Sequence, residues 1–574
     1  MSGTQDIDVL IIGAGINGAG LFRDLCEQGL RCVITDKGDF GGGTSAAPSR
    51  LIHGGIKYLE TGELGLVAQS TLERNLLLKN APHLVRPLPT VIPIFSWLKG
   101  IGPALRTLLG STTAPRSRGA VLMKIGLTMY DFYGRRARVM PRHQLWSRRR
   151  ALREIPPLTP AVVAAGHYYD ATVTQPERLV WELLADGMRA QPASEALNYT
   201  DILGTDGHEI RLSSPDGPRQ LCPRLVVNAA GPWIDRVNAV LGAPSRMIGG
   251  TKGSHILLDH PALLAALDGR MIYFEADDGR ICLVFDYLGR ALVGSTDIRA
   301  DDPDTVACED DEIDYFIDAL RSLLPGLAFS RDQIVYAYSG IRPLPASGGT
   351  APGLISRDHS APVAEAEGDR KWPIISLVGG KWTTFRGFAE EVADTILKRL
   401  ERPRQVSTRE LPIGGGRDLP AAGAALDAWV SRIVNASGAR ADRVLSLLNR
   451  YGTKAEAIAG TEGASPRMLT HAPDYSLEEF AWIAGHERVV GLADIVMRRS
   501  AIAVTGRLSL RDLSRIADIT ADVLNWTQKH RDQELAATAE LLIGRHRMKL
   551  DTCHGAEKVG PRPGAASIIP STVG

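Results

Sequence analysis

The chain has almost no net charge. Its 66 Lys and Arg face 65 Asp and Glu, a formal +1, which excludes a dedicated nucleic-acid binder, whose phosphate contacts show up as a strongly basic domain. Cysteine is scarce: six in 574 residues (Cys26, Cys32, Cys222, Cys282, Cys308 and Cys553), scattered and with no C-x-x-C. That excludes a disulfide framework or a zinc site and reads as small buried hydrophobes in a reducing compartment. No window reaches 18 uncharged apolar residues, so no spanning helix is expected and membrane contact must be peripheral. Met1 to Asp8 holds no basic stretch leading into an apolar core, so no signal peptide is expected. HExxH, a G-x-S-x-G elbow and a P-loop lysine are all missing. No Cys/His spacing fits a metal, and no internal repeat is visible. The remainder is ordinary globular usage, 44% hydrophobic and 23% charged. At roughly 150 residues per domain the length implies three or four domains, and such a chain buries about three quarters of its unfolded surface.

Glycine, by contrast, is plentiful: 59 residues, many beside apolar runs, which suggests tight strand-to-loop transitions around ligands. The first is the most informative. Val9-Leu10-Ile11-Ile12 is an unbroken apolar run suited to a strand buried on both faces. It leads into Gly13-Ala14-Gly15-Ile16-Asn17-Gly18, a helix from about Ala19 to Glu27, and a second strand Cys32-Val33-Ile34-Thr35 that closes at Asp36. This is a βαβ unit with a dinucleotide fingerprint in its proper context. Gly13 permits the tight turn, Gly15 lets the backbone approach a pyrophosphate, and Gly18 allows close helix packing. The pyrophosphate rests on orphan N–H groups at the helix start. Asp36 can accept from ribose hydroxyls, or it is an ordinary strand-end turn residue.

Further on, a helix-like stretch runs through Leu76-Leu77. Strand candidates recur from about Ala164 to Val293, with an especially apolar one at Leu225-Val226-Val227. Ile374 to Val378 enters Gly379-Gly380, followed by a helix from about Thr383 to Leu400. The segment from Pro403, with glycines 414–416, reads as a linker, and the pattern beyond it is helical. The Gly/Pro/Ser-rich end reads as a disordered tail.

The fingerprint alone does not choose between NAD and FAD. Thr44-Ser45 and Ser49-Arg50-Leu51-Ile52-His53-Gly54-Gly55-Ile56-Lys57-Tyr58-Leu59 resemble the flavin-contacting loop of the FAD-dependent glycerol-3-phosphate dehydrogenases. Leu225 to Trp233, with Gly231, is similar to the second FAD motif of the wider D-amino-acid-oxidase-like superfamily. Lys252-Gly253-Ser254-His255, Gly294-Ser295-Thr296-Asp297, Tyr338 to Pro343 and Gly379 to Arg386 follow in the dehydrogenase family's order. The helical region beyond about 400 is similar to that family's C-terminal domain, so the resemblance covers roughly residues 5 to 530. Two positions depart from it. The family commonly has Arg at Lys57, which removes a bidentate fork, and Thr at Ser295, which keeps the hydroxyl.

The resemblance implies FAD held by Gly13, Gly15, Gly18, Asp36, Thr44, Ser45, His53, Gly54, Gly231, Gly380, Lys381 and Thr383. It also implies a phosphate clamp at Arg342 and Arg357, supported by Lys57, Tyr58 and Ser295. Guanidinium forks suit a phosphate better than lysines do, although surface salt bridges would use the same residues. His255 is the plausible base for a hydroxyl proton, because its ordinary pKa is near the working pH. Lys381, after a glycine pair, is expected near substrate and flavin, stabilising developing negative charge.

The expected fold is α/β with α+β: a discontinuous Rossmann-like FAD-binding domain, a substrate-capping domain with a mixed sheet, and an all-helical C-terminal domain. The expected bounds are 5–92, 164–245 and 336–402 for the FAD domain, 93–163 for a basic insertion, and 246–335 for the substrate domain. A linker at 403–420, helices over 421–545 and a tail at 546–574 complete the chain. The resemblance implies oxidation of glycerol 3-phosphate to dihydroxyacetone phosphate, with electrons passed to a membrane quinone. An oxidase of the same superfamily, or a silent flavin-binding adaptor, are the alternatives. A cytoplasmic protein lying on the inner face of the membrane is expected, and a homodimer is allowed for. Phe95, Trp97, Leu98, Leu105, Leu108 and Leu109 among Lys99, Arg106, Arg116 and Arg118 are the expected contact with anionic lipid. A buried helix with a basic rim would share that pattern.

Overall fold

The computed structural model describes residues 5–56, 63–97, 119–135, 139–276, 278–300, 302–346 and 358–550. Lys57, Tyr58 and Arg357, Leu98 to Arg118, and the tail after 550 lie outside the described residues.

The apolar run at the N-terminus becomes the strand Gln5–Ile12, central in the parallel part of an eight-stranded sheet whose outer strands Val363–Ala364, Glu209–Ser214 and Asp201–Asp206 pair antiparallel. It pairs with Cys32–Thr35 on one side and Gly217–Asn228 on the other. Glu195–Leu197 and Ile374–Ser376 extend the sheet, again parallel. Alternation explains why the central strands are apolar throughout. Val9 and Ile11 join the core beneath the helices Ile16–Glu27, Pro176–Ala190 and Phe385–Arg399, whereas Leu10 and Ile12 pack toward Ile210, Leu212 and Trp372. The strand and helix expected around the fingerprint are therefore present, the helix starting three residues earlier, at Ile16.

A second, ten-stranded mixed sheet runs in the order Ile298–Arg299, Ile248–Leu258, Arg290–Gly294, Ile281–Tyr287, Met271–Glu275, Val85–Ile94, Ala164–Val173, Leu51–Ile52. Ile334–Pro345 pairs with Ile248–Leu258 along its length, and Gln144–Ser147 with Ala164–Val173. Strands at 85–94, 164–173 and 334–345 thus join this sheet, so the chain crosses between the two sheets more often than the sequence bounds allow. One face of the second sheet packs Ile256, Leu258, Val284 and Val293 against the helix Asp310–Leu323. The other places Leu257, Phe285, Tyr336 and Tyr338 in one apolar cluster with the C-terminal helices.

Two expectations from composition are corrected. The stretch 403–420 is not a loose linker. Arg23 Nη2 donates to the carbonyls of Leu411 (3.2 Å) and Pro412 (2.7 Å), and Gln28 Oε1 accepts from the amides of Gln405 and Val406. A Cβ at Gly415 would stand 1.9 Å from the Tyr451 carbonyl oxygen. Glycine serves close approach here, not slack. Nor does the tail begin at 546. Ala337 N donates to His546 O at 2.9 Å, and the His546 ring stacks on Tyr336 at 4.7 Å.

Candidate cofactor and substrate site

A cavity of about 690 Å³ opens at the carboxyl ends of the parallel strands, where α/β folds bind ligands. Gly13, Gly15, Asp36, Thr44, Ser45, Gly231 and Gly380 line it.

The three fingerprint glycines serve different ends. Gly13 has φ +103°, and a Cβ there would meet Ala229 O at 2.6 Å, so the turn itself requires glycine. At Gly18 a Cβ would lie 2.0 Å from Gly13 O. At Gly15 the protein imposes little: the nearest atom is Ser45 Oγ at 3.1 Å. The bare backbone at 15 is therefore room for something outside the chain, and a dinucleotide fits it. Asn17 Oδ1, in the same wall, is buried with no hydrogen-bond partner.

Asp36 accepts Ala14 N at 2.8 Å and Gly38 N at 3.0 Å. Burial pushes its pKa up to about 6, against those two amides. Its turn role and its place in the cavity wall coexist, since each oxygen keeps a lone pair. Ser45 Oγ accepts the first helical amide, Ile16 N, at 2.9 Å, and Thr44 Oγ1 donates to Ile341 O at 2.5 Å. His53 N donates to Thr383 Oγ1 (3.2 Å), and Gly54 N to Tyr130 Oη (2.9 Å) and Asp170 Oδ1 (3.0 Å). Arg74 pairs with that buried Asp170 at 3.1 Å. Lys381 stands on the turn after Gly380, with Nζ 3.4 Å from Ser70 Oγ.

His255 and Arg342 do not line this cavity; they share one face of the second sheet. Register sets Thr251 opposite Arg342, Gly253 opposite Gly340, and His255 opposite Tyr338 on one strand and Gly294 on the other. Two glycines make the room. A Cβ at Gly253 would fall 2.2 Å from Arg342 Nη2, and one at Gly294 would fall 2.0 Å from the His255 ring. The His255 ring stacks on Tyr338 (4.9 Å) and is 1% exposed, with Nε2 2.8 Å from Ser49 Oγ. Burial, then the cations Arg342 and Arg50, hold its pKa well below 6.5, so the ring is neutral. Arg50 pairs with buried Glu177 at 3.2 Å and lies over Tyr338.

Arg342 is held by Asp297 Oδ1 (3.1 Å), Ser295 Oγ (3.0 Å) and Thr296 O (3.1 Å). The structure thus unites His255, Arg342 and Ser295. Lys252, from the same motif as His255, alternates to the opposite face and pairs with Glu312 at 2.8 Å. Sequence reasoning missed Asp297, although it stands in the Gly294–Asp297 motif, and gave Ser49 no role. It also missed Arg498 and Arg545, which line the cavity from the C-terminal region. No local signal marks those two.

Sheet, glycine cradle and cavity together define a dinucleotide-binding oxidoreductase fold. Residues 8–386 match the family described as FAD dependent oxidoreductase, and the chain belongs to it. Residues 406–531 match the C-terminal domain of alpha-glycerophosphate oxidase. A glycerol-3-phosphate dehydrogenase from Synechocystis sp. is 32% identical over 92% of this chain and 95% of its own length. D-erythritol 1-phosphate dehydrogenase from Brucella abortus is 31% identical over 72% of this chain and 78% of its own. A crystal structure of glycerol-3-phosphate dehydrogenase from Bacillus halodurans complexed with FAD has the same fold, with a TM-score of 0.69 at 21% identity over 95% of both chains.

Proposed function

We propose that the protein oxidises glycerol 3-phosphate to dihydroxyacetone phosphate and passes the electrons to a membrane quinone. The observation that carries this reading is the Arg342–His255 face, a guanidinium and a neutral imidazole laid side by side over two glycines, next to a dinucleotide cradle. The full-length relatives support the substrate. Gly13, Gly15, Asp36, Ser45 and Gly380 would hold FAD, which when bound would supply the hydride acceptor for the carbinol carbon. Arg342, oriented by Asp297 and Ser295, binds the phosphate through charge-assisted hydrogen bonds.

His255 is sealed from solvent, whereas Ser49 is half-buried. The hydroxyl proton therefore passes to Ser49 Oγ as Ser49 gives its own to His255 Nε2. This transfer works against burial and the cations Arg342 and Arg50, which disfavour a charged ring, and so against the expected base with an ordinary pKa. Lys381 stabilises negative charge at the reacting end. The test is anaerobic addition of glycerol 3-phosphate to the yellow protein. Bleaching of the flavin absorbance is expected with glycerol 3-phosphate and not with glycerol. Bleaching only by erythritol 1-phosphate would move the substrate to a longer polyol phosphate, and none with either would overturn the reading.

Among the described residues no helix is long and apolar enough to cross a membrane, so access to quinone falls to a surface. Phe95 (45% exposed) and Trp97 (55%) lie by the start of the helix Ala120–Tyr133, where Val121 N donates to Trp97 O, and the helix exposes Val121, Lys124, Ile125 and Phe132. Exposed apolar groups among cations suit an anionic bilayer surface. Replacing Val121, Ile125 and Phe132 by Ser should release the protein from anionic liposomes while turnover with a soluble acceptor persists.

A further inference from the structure

The loop after the second strand of the parallel sheet forms one wall of the cofactor cavity, from Asp36 to Ser45. Its anchor is Asp39, whose carboxylate is fully buried. Arg499, equally buried, clasps both oxygens at 2.7 and 2.8 Å; Arg498 Nε adds 2.6 Å and Asn198 Nδ2 3.0 Å. Burial alone would raise the pKa of Asp39, but Arg499 and Arg498 hold it far below the usual carboxylate range. Both arginines end the six-residue π-helical turn Asp494–Arg499 of the C-terminal region, about 460 positions away in the chain.

The seam extends further. Arg498 Nη2 donates to Asp494 Oδ1 at 2.6 Å, which also accepts Tyr199 Oη at 2.5 Å. Arg178 forks onto Glu487 with two 2.9 Å bonds and donates to Arg499 O at 2.6 Å. Three carboxylates face three guanidiniums, so charge closes within the seam. Buried ion pairs add little net stability over apolar packing; here they fix where the loop sits.

The same region also reaches the cavity. Arg498 and Arg545 both line it. Arg545 is exposed and makes no side-chain hydrogen bond or ion pair among the described residues. Behind the fingerprint, Arg404 pairs with Asp24 at 2.8 Å, and Thr408 Oγ1 donates to Asp24 at 3.0 Å. The C-terminal region thus braces the fingerprint helix from behind and the cavity loop from the side.

We infer that the C-terminal helical region is part of the cofactor site. Arg498 is a positioning residue that sets the Asp36–Ser45 wall through Asp39. Arg545 is a binding residue that draws the cofactor's anionic diphosphate by its charge, which no described residue pairs. This rests on the family's cofactor and is independent of which alcohol is oxidised.

The experiment is titration of full-length apoprotein with FAD, read by quenching of flavin fluorescence, so no turnover enters. Arg545→Met should weaken FAD binding about 3- to 10-fold at low salt, a difference that shrinks at 0.5 M salt as screening shortens the field. Arg498→Met should weaken it about 30-fold or more, as loss of a buried charge-assisted pair implies, with Arg498→Lys falling between. Arg432→Met, on a surface helix facing Glu456, is the control. Because Arg545 is exposed, its variant folds even if Arg498→Met does not. Wild-type FAD affinity in Arg545→Met, or an effect unchanged by salt, would overturn its binding role. Wild-type affinity in Arg498→Met, or Lys no better than Met, would overturn its positioning role.

Discussion

The two halves of the site are built from opposite materials. The cofactor cradle is mostly backbone: the Gly13–Gly18 turn, pinned where the amides of Ala14 and Gly38 donate to Asp36 and that of Ile16 to Ser45, and shaped by glycines whose missing Cβ atoms make it possible. The substrate face is side chains, Arg342, His255, Ser295 and Asp297, laid over a sheet whose glycines only make room. A backbone turn tolerates no bulk, whereas a side chain that works by charge is graded by it. Damage should follow that division: all-or-none at the cradle's glycines, incremental on the substrate face and at Arg498 and Arg545.

The largest effect expected is Gly15→Val. The chain leaves the space near Gly15 open apart from Ser45 Oγ, so this variant should fold and remain colourless, read as absent flavin absorbance beside a normal circular-dichroism spectrum. Gly18→Val, with backbone 2.0 Å away from the new Cβ, should fail to fold. If Gly15→Val bound FAD normally, the cradle would lie elsewhere.

Next comes Arg342→Ala, expected to lower kcat/KM for glycerol 3-phosphate by about 3 kcal/mol, roughly a hundredfold, with FAD retained. An equal loss of FAD would erase the distinction between the two halves.

His255 gives a third, pH-dependent test. Its pKa is depressed in the folded protein, so below about 6.5 the unfolded chain binds the extra proton and stability falls as pH falls. His546, lowered to about 4 by burial, adds to the same trend. His255→Gln should flatten the drop in Tm between pH 7 and 5, and an unchanged slope would place the acid sensitivity in other groups. The smallest effect is Ser295→Ala. Losing one 3.0 Å hydrogen bond to Arg342 should cost about 1 kcal/mol, near fivefold in KM.

The same division explains what could be read in advance. The fingerprint is legible because its residues are consecutive and each glycine answers to a fixed offset. Arg342 and His255 were legible only through short motifs resembling a family; nothing announces an ion pair between Asp297 and Arg342, 45 positions apart. Asp39 and Arg499 lie 460 positions apart, beyond any local pattern. The segment at 403–417 was misread because proline and glycine mark both slack connections and close-packed seams. His546 shows the same ambiguity, since a polar end can still lie flat on a sheet. The all-helical character beyond 421 was legible from its periodic apolar faces, such as the helix Leu510–Leu524 with Leu513, Ile516 and Ala517 buried.

The parallel sheet is assembled out of chain order. Gln5–Ile12 is flanked by Gly217–Asn228, which must then wait for Ile374–Ser376, and Asn17 Nδ2 meets Gly379 O across 362 positions. During synthesis the fingerprint strand precedes Gly217–Asn228 by about 10 to 40 seconds at 5–20 residues per second. Paired early with Cys32–Thr35, it is bare on its other edge until Asn228 is made, and Gly217–Asn228 is bare in turn until Ser376 is. Newly made chains are therefore at greatest risk of sticking to one another before residue 376 is added, and a chaperone that shields these strand edges until then would protect the whole protein.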